Sequence, residues 1–259
     1  MEPCNNYISY KEVVSRVHVN KGDIVHVSSD ILKFMCTCRE NAEIFDPNIF
    51  IDSLIDKIGP TGTLIFPTYN WDFCRGETFD ICRTPSQSGA LGNIALKRAD
   101  FRRTQHPVYS FAVCGHDMDY LCGLDNVSAF GSDSPFAYMY EKGAKSLFIG
   151  IDYKDAFTLV HFVEEKVGVP YRYFKEFSGQ YISEDGTVSR RIFKMYVRHL
   201  GLSVKTEISP LLDDVILGKG FYFKYLINSI TLGLVDMHGI ADIMEHDIRD
   251  RGILVYPAR

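Results

Sequence analysis

The passage Asp23-Ile24-Val25-His26-Val27-Ser28-Ser29, followed by Asn48 to Ile58 and then Gly62-Thr63-Leu64-Ile65-Phe66-Pro67, decides the fold. The first segment is rich in β-branched residues and is preceded by Lys21-Gly22, the composition of a strand entered through a turn. In the second, Ile51, Leu54, Ile55 and Ile58 recur at i, i+3, i+4 and i+7, which predicts a helix with one apolar face. Gly59-Pro60-Thr61-Gly62 is a strong turn signal, and the third segment reads as a second strand. Strand, helix, strand in this order is the βαβ pattern.

Working outward, Ser88 to Arg98 predicts another helix, and Ser110-Phe111-Ala112-Val113-Cys114-Gly115 a short buried strand. Ser146-Leu147-Phe148-Ile149-Gly150-Ile151 reads as a further strand and Thr158 to Val167 as a helix. The pattern then changes. Gly179 to Ser183 and Arg191 to Val197 flank Glu184-Asp185-Gly186-Thr187, and the Asp-Gly pair marks a β-hairpin. Leu211 to Gly252 reads as largely helical, with one strand candidate near Phe221. The expected fold is α/β: a mixed central sheet with flanking helices and a small antiparallel β insertion, with residues 1–259 forming a single domain.

The chain has 259 residues, enough for one large domain with a sizeable core. Hydrophobic residues make up 46% and charged residues 24%, an ordinary globular balance. No run approaches the roughly 18 apolar residues that a membrane span needs. The stretch Met1-Glu2-Pro3-Cys4-Asn5-Asn6 lacks the basic and apolar regions of a secretory signal, so a cytoplasmic location is expected. The net charge of −5 argues against general nucleic-acid binding. Charge is uneven, however: Arg83 to Arg103 carries five Lys or Arg against one acid, and Lys166 to Lys205 eight against three. Such stretches suit either a locally bound anion or solvated helix faces. Cys4, Cys36, Cys38, Cys74, Cys82, Cys114 and Cys122 include no Cys-x-x-Cys, so no zinc site is expected, and they read as reduced thiols.

Chemistry concentrates in Thr158-Leu159-Val160-His161-Phe162-Val163-Glu164-Glu165. On a helix, His161 and Glu164 share a face, and a carboxylate beside an imidazole orients the ring and raises its basicity. The pair suits a general base. A His-x-x-Glu is short and common, and the alternative is a capped surface pair. A metalloprotease helix would need a second His where Glu165 stands. Val27-Ser28-Ser29-Asp30 offers hydroxyl and backbone donors at a strand end, or simply a helix cap. Arg102-Arg103-Thr104-Gln105-His106-Pro107 is either an anion-binding loop or an ordinary approach to the next strand.

These pieces occur together in one order. With Gly62 to Tyr69, Arg83-Thr84-Pro85-Ser86 into Gly89-Ala90-Leu91-Gly92, Arg103 to Phe111, Phe130 to Phe136 and Leu147 to Glu164, the chain resembles the aminoglycoside 3-N-acetyltransferase-like, or antibiotic N-acetyltransferase, family. The resemblance covers about residues 20 to 175 and implies an acyl-CoA donor and an amine on a sugar as acceptor. It implies that His161 is the base, that Glu164 orients it, and that the amine attacks the thioester directly. It also implies that Ser28, Ser29, Ser86, His106 and Ser110 line the coenzyme. Departures exist: many relatives have His-Ser-Ser-Leu with a following Gly, whereas this chain has Val27-Ser28-Ser29-Asp30 and Phe34. Phe157 stands where relatives often have Asn.

Enzymes acting on aminoglycosides, which are polycations, offer acidic clefts. Here Pro170-Tyr171-Arg172-Tyr173-Phe174-Lys175 follows the His161 helix directly. Arg172 and Lys175 suit a diphosphate, Tyr171, Tyr173, Phe174 and Trp71 suit stacking on a nucleobase, and Tyr69 is expected beside Trp71 at the substrate. The family includes members that acylate nucleotide-linked amino sugars for surface polysaccharides such as lipopolysaccharide, some transferring acetyl and some 3-hydroxybutanoyl. The expected acceptor is therefore a nucleotide-linked, dTDP-type 3-amino-3,6-dideoxyhexose. The alternatives are an aminoglycoside, supported by Asp72, Glu77 and Asp80 near Trp71, and a non-catalytic relative that only binds acyl-CoA or a nucleotide sugar. A Cys-dependent transferase is a third. The donor is expected to be acetyl-CoA or 3-hydroxybutanoyl-CoA, without a metal. The choice between monomer and homo-oligomer is left open.

Overall fold

A computed structural model describes residues 7–202, 204 and 207–250. The βαβ passage forms as its pattern predicts: β1 (Ile24–Ser29), a helix α3 (Pro47–Ile58) and β2 (Thr63–Pro67), with β1 and β2 parallel. Asp46 caps α3 by accepting from the Asn48 N–H at 2.8 Å, and Pro47 occupies the first turn, where its missing N–H is no loss. Gly59 ends the helix at φ 66°, a conformation that glycine reaches without a Cβ penalty. Two helices precede α3, namely α1 (Tyr10–Val13) and α2 (Leu32–Glu40).

The other strands are β3 (Phe79–Asp80), β4 (Arg102–Arg103), β5 (Phe111–Gly115), β6 (Lys145–Ile149), β7 (Arg172–Ile182), β8 (Val188–Arg198), β9 (Tyr222–Ile227) and β10 (Ile230–Asp236). They build a seven-stranded sheet in the order β4-β5-β2-β1-β6-β10-β9 and a three-stranded sheet β3-β7-β8. The centre of the large sheet, β2-β1-β6, is parallel, and its flanks are antiparallel. Alternation along each strand divides the core. Leu64, Phe66, Leu147 and Ile149 face one apolar cluster with α2 and α3, whereas Ile65 and Phe148 face the other. The second cluster is covered by α6 (Pro135–Glu141), α8 (Leu159–Val167) and α10 (Met237–Arg249), with α8 packed on both others.

Three expectations are corrected. The helix placed at Ser88 to Arg98 is shorter, α4 (Ala90–Ala95), because Gly89 enters it at φ 72° and the Arg98 side chain pairs with Asp52 and Asp100 beyond its end. The hairpin is longer than the turn signal implied, and β7 takes in Arg172 to Phe177. It also has a parallel neighbour, β3. The stretch from Tyr222 to Asp236 is not helical. Its aromatic and β-branched residues form β9 and β10, joined by Asn228 and Ser229 at φ 50° and 61°, the geometry of a tight hairpin turn. Three further short helices, α5 (Met118–Gly123), α7 (Tyr153–Ala156) and α9 (Leu211–Gly218), complete the described fold.

Candidate active site

The parallel strands β1 and β2 end side by side, and α8 begins opposite them. Leu159, Val160, Phe162 and Val163 bury one face of α8, and Gly168 closes it in the left-handed conformation at φ 73°. That burial sets the helix rotation and carries Glu164 inside while His161 stays half-buried. Glu164 is 0% exposed and His161 30%. The Nδ1 of His161 lies 2.8 Å from Oε2 of Glu164, and the Phe130 ring packs edge-on against the imidazole at 5.4 Å.

Glu164 is shared. The Nε of Arg172 approaches the same Oε2 at 2.7 Å, and the Tyr171 hydroxyl also faces this carboxylate. Burial pushes the Glu164 carboxyl up, but the His161 hydrogen bond and charge and the Arg172 guanidinium outweigh it and hold the group below the ordinary carboxylate range. An ionised Glu164 is acceptor-only and draws a proton to Nδ1, whereas the donor-only Nη2 of Arg172, 3.1 Å from the same nitrogen, draws its lone pair. With the proton on Nδ1, the lone pair of the ring is on Nε2.

Two cavities meet at His161, and Asp155, Ala156, Thr158 and His161 line both. The first, about 420 Å³, is walled by Ser28 and Ser29 at the end of β1, Tyr69 and Trp71 after β2, and Ser88 and Gly89 before α4. Gly92 also lines it, and a Cβ there would lie 2.4 Å from the Pro67 carbonyl oxygen, so glycine permits this approach of α4 to β2. The second cavity, about 370 Å³, is lined by Lys154, Arg172 and Arg198 as well as the shared residues. Among the described lining residues of both cavities, Asp155 is the one carboxylate.

The structure brings together His161, Glu164, Ser28, Ser29, Tyr69, Trp71, Tyr171 and Arg172. Other expected site residues lie elsewhere. Ser86 donates to the Ser88 carbonyl at 2.9 Å inside its own turn, and Ser88 faces the cavity instead. His106 is buried with Nδ1 accepting from the Tyr109 N–H at 3.1 Å and its ring against Phe193, which makes it a turn-holding core residue. Ser110 is buried below β2, where it donates to the Thr68 carbonyl and accepts from Arg103 Nε, both at 2.9 Å. Asp72 pairs with Arg75 and accepts from Gln87 Nε2 at 2.8 Å, outside the cavity lining. Lys175 lies over the Phe177 ring at 5.2 Å and lines neither cavity. The diphosphate role expected of Arg172 is displaced by its engagement with Glu164.

Gly89, Tyr109, Asp155 and Arg198 were not expected at the site. Tyr109 and Gly89 stand inside the quoted motifs, but Arg198 reaches the cavity only because the hairpin is long. The six described cysteines are free thiols, and burial pushes Cys74 and Cys114 up to about 11 and Cys122 to about 12, which leaves them poor nucleophiles at neutral pH. Cys4 lies outside the described residues. Among the described residues, no cluster of His, Cys, Asp or Glu is arranged to hold a metal, and no helix is long and apolar enough to cross a membrane.

His161 of the imidazole–carboxylate pair is thus reached from two cavities near the ends of parallel strands. Several solved structures share the fold. AAC-IIIb in its binary complex with CoASH superposes with a TM-score of 0.76 at 18% identity over 97% of this chain and 98% of that one. Sisomicin-bound AAC-VIa gives 0.76 at 20% identity over 94% and 97%, and the YokD protein from Bacillus subtilis 0.72 at 18% over 93% and 97%. No curated protein sequence matches significantly. The model of the aminoglycoside 3-N-acetyltransferase family matches residues 24–246, and the chain belongs to that family. It is accordingly a coenzyme-A-dependent N-acetyltransferase of mixed α/β fold, with an acyl-CoA as co-substrate.

Proposed function

We propose that the protein transfers an acetyl or 3-hydroxybutanoyl group from coenzyme A to the amine of a nucleotide-linked, dTDP-type 3-amino-3,6-dideoxyhexose, with His161 as general base and Glu164 orienting it. The observation that carries the acceptor class is the scarcity of acid at the site. Asp155 alone carries a carboxylate among the described residues lining the two cavities, against Lys154, Arg172 and Arg198. Lys154 is balanced by Asp213 at 2.9 Å and Arg172 by Glu164, so the lining is near neutral rather than strongly basic. A polycation would leave several ammonium groups without partners there, whereas an acceptor with one amine and a diphosphate finds Asp155 for the amine and Arg198 for the phosphate.

The first cavity suits the acyl-CoA arm, which is neutral and amide-bearing. Its walls combine aromatic and aliphatic side chains with the Ser28, Ser29 and Ser88 hydroxyls. The acceptor then approaches His161 from the second cavity. Nε2 of His161 takes a proton as the amine nitrogen bonds to the thioester carbon. The C–S bond breaks, and the departing thiolate recovers a proton from the imidazolium. A backbone N–H at the Ser28-Ser29 strand end, which lines this cavity, serves as donor to the developing oxyanion.

A second reading, acylation of an aminoglycoside, is favoured by the family match and the fold shared with sisomicin-bound AAC-VIa. A thiol-release assay decides between them, crossing acetyl-CoA and 3-hydroxybutanoyl-CoA with dTDP-3-amino-3,6-dideoxyhexose and with an aminoglycoside. Release with the nucleotide sugar, lost in His161→Ala, is expected. Release with the aminoglycoside alone overturns the acceptor assignment. Ligand binding without any release, unchanged by His161→Ala, would identify a binding protein.

A further inference from the structure

The structure assigns Arg103 a positioning role: through the Thr68–Tyr69 peptide it fixes the Tyr69, Trp71 and Ser88 wall of the first cavity, and so sets how tightly the acyl-CoA arm is held. The last clause rests on that cavity taking the donor. Arg102 and Arg103 form β4 at the edge of the large sheet, and strand alternation sends their side chains opposite ways. Arg102 meets Asp119 at 2.7 Å at the surface. Arg103 turns inward and is 4% exposed, and among the described residues no carboxylate pairs with it. Its guanidinium contacts oxygens of three separate segments instead. Nε donates to Ser110 Oγ at 2.9 Å, Nη2 to the Thr68 carbonyl at 2.8 Å and Nη1 to the Thr84 carbonyl, while the Phe79 ring covers it at 4.8 Å.

These oxygens lead directly to the cavity. A trans peptide is planar, so its C=O and N–H point opposite ways. The Thr68 carbonyl is held inward by Arg103 and by the Ser110 hydroxyl at 2.9 Å. The Tyr69 N–H therefore points outward, and it donates to Ser88 Oγ at 3.0 Å. The same two segments are clasped three more times. Gln87 N–H donates to the Tyr69 carbonyl at 2.7 Å, Trp71 N–H to Gln87 Oε1 at 3.1 Å, and Asn70 Nδ2 to the Pro85 carbonyl at 2.9 Å. Tyr69, Trp71, Ser88 and Gly89 all line the first cavity, and Arg103 stands behind them without lining it. The residues proper to the second cavity, Lys154, Arg172 and Arg198, come from α7 and the hairpin instead.

The chemistry of the guanidinium explains why this residue type stands here. Burial lowers Arg103 from 12.5 to about 10, which leaves it a cation at neutral pH. A buried cation carries a large desolvation penalty, and no contacting charge offsets it here. An apolar side chain would fill the space without that penalty, but it would leave the Thr68 and Thr84 carbonyls free to turn and the Tyr69 N–H free to leave Ser88. A lysine would keep the charge without the planar fork that reaches three segments at once.

Trp71 is the single tryptophan of the chain, so its fluorescence reports on this wall alone. The test pairs acrylamide quenching of the ligand-free full chain with calorimetric titration of acetyl-CoA, in the wild type, Arg103→Lys, Arg103→Met and Ser88→Ala. In both Arg103 variants quenching is expected to rise and the Kd for acetyl-CoA to weaken about tenfold. Arg103→Lys carries the test if the methionine variant does not fold. Ser88→Ala weakens Kd without raising quenching, and combining it with Arg103→Lys gives less than the product of the two single effects, because the lysine variant has already released that hydroxyl. Unchanged quenching in both Arg103 variants overturns the proposal, as do independent effects of Arg103→Lys and Ser88→Ala. Raised quenching with an unmoved Kd overturns it too, where acetyl-CoA alters Trp71 fluorescence in the wild type. If acetyl-CoA binds the wild type without altering that fluorescence, the assignment of the donor to this cavity fails instead, and quenching of the ligand-free variants still decides the role of Arg103. None of these readouts needs turnover, so a wrong acceptor cannot disguise the result.

Discussion

Asp30 and Gly150 meet backbone to backbone where β1 and β6 end: a Cβ on Gly150 would lie 2.4 Å from the Asp30 carbonyl oxygen. Gly150 has φ 70°, its N–H donates to the Thr231 carbonyl at 2.9 Å, and Asp30 N–H donates to Ile149 at 2.9 Å. The contact holds the strand end that carries Ser28 and Ser29. Gly150→Ala should therefore destabilise the protein by about 2–3 kcal/mol, since left-handed strain and a backbone clash add. Urea unfolding measures this, and an unchanged midpoint would show that the strand ends give way without cost.

His161 and Glu164 should separate rate from stability. His161→Ala removes a half-exposed ring and is expected to lower kcat by about 10²- to 10⁴-fold, the range of general-base catalysis, with little change in unfolding. Glu164→Gln removes a fully buried charge, leaving the Arg172 guanidinium uncompensated in the interior. It should lower kcat and also cost about 3 kcal/mol or more in stability. Equal stability losses in the two variants would contradict the burial difference on which the assignment stands.

The βαβ passage was legible because its periodicity and its caps agree: Asp46, Pro47 and Gly59 bound α3 where the apolar spacing begins and ends. The His161–Glu164 pair was legible for the same reason, since i and i+3 on a helix fix a shared face. Of the β9–β10 hairpin only the strand near Phe221 was legible, as β9; its partner β10 was not, because Asn228-Ser229 is a weaker turn signal than Asp-Gly. Arg172 shows a different limit. A cation beside aromatics reads the same whether it meets a ligand or a buried carboxylate, and only the pairing of β7 with β8 at Arg172 and Arg198 decides. His106 and Ser110 were assigned by motif, whereas His106 is buried against Phe193 of β8 and Ser110 bonds to Thr68 beyond β2, which removes both from the cavity.

Arg198 provides the charge test of the acceptor. It stands at the end of β8, opposite Arg172 in the register, and lines the second cavity. If it meets a diphosphate, Arg198→Ala should raise KM for the nucleotide-linked acceptor about tenfold, equivalent to ~1.4 kcal/mol, with kcat little changed. The wild-type KM should also rise with salt. Steady-state kinetics at two ionic strengths checks both. An unaltered KM removes the electrostatic basis for a nucleotide-linked substrate.

Two buried histidines set an acid limit on the fold. His26, held by Ser146 Oγ at 2.8 Å, and His106 are fully buried and neutral, and burial lowers them from an ordinary 6.5 to about 4 and about 3. Between those values and 6.5 the unfolded chain binds protons that the folded chain does not. Stability is therefore complete above about pH 6.5 and declines as pH falls toward 4 and then 3. Each histidine contributes up to about 1.4 kcal/mol per pH unit across its window, on the order of 3 kcal/mol or more in total. His106→Asn keeps an acceptor for the Val108 and Tyr109 N–H groups but does not titrate. Urea unfolding at pH 7, 5.5 and 4.5 should show a shallower decline for this variant than for the wild type, and parallel declines would mean that His106 is charged inside the fold. The same window bounds the kinetics. A loss of turnover below pH 5 is shared with unfolding from His26 and His106, so variants are compared kinetically above that boundary.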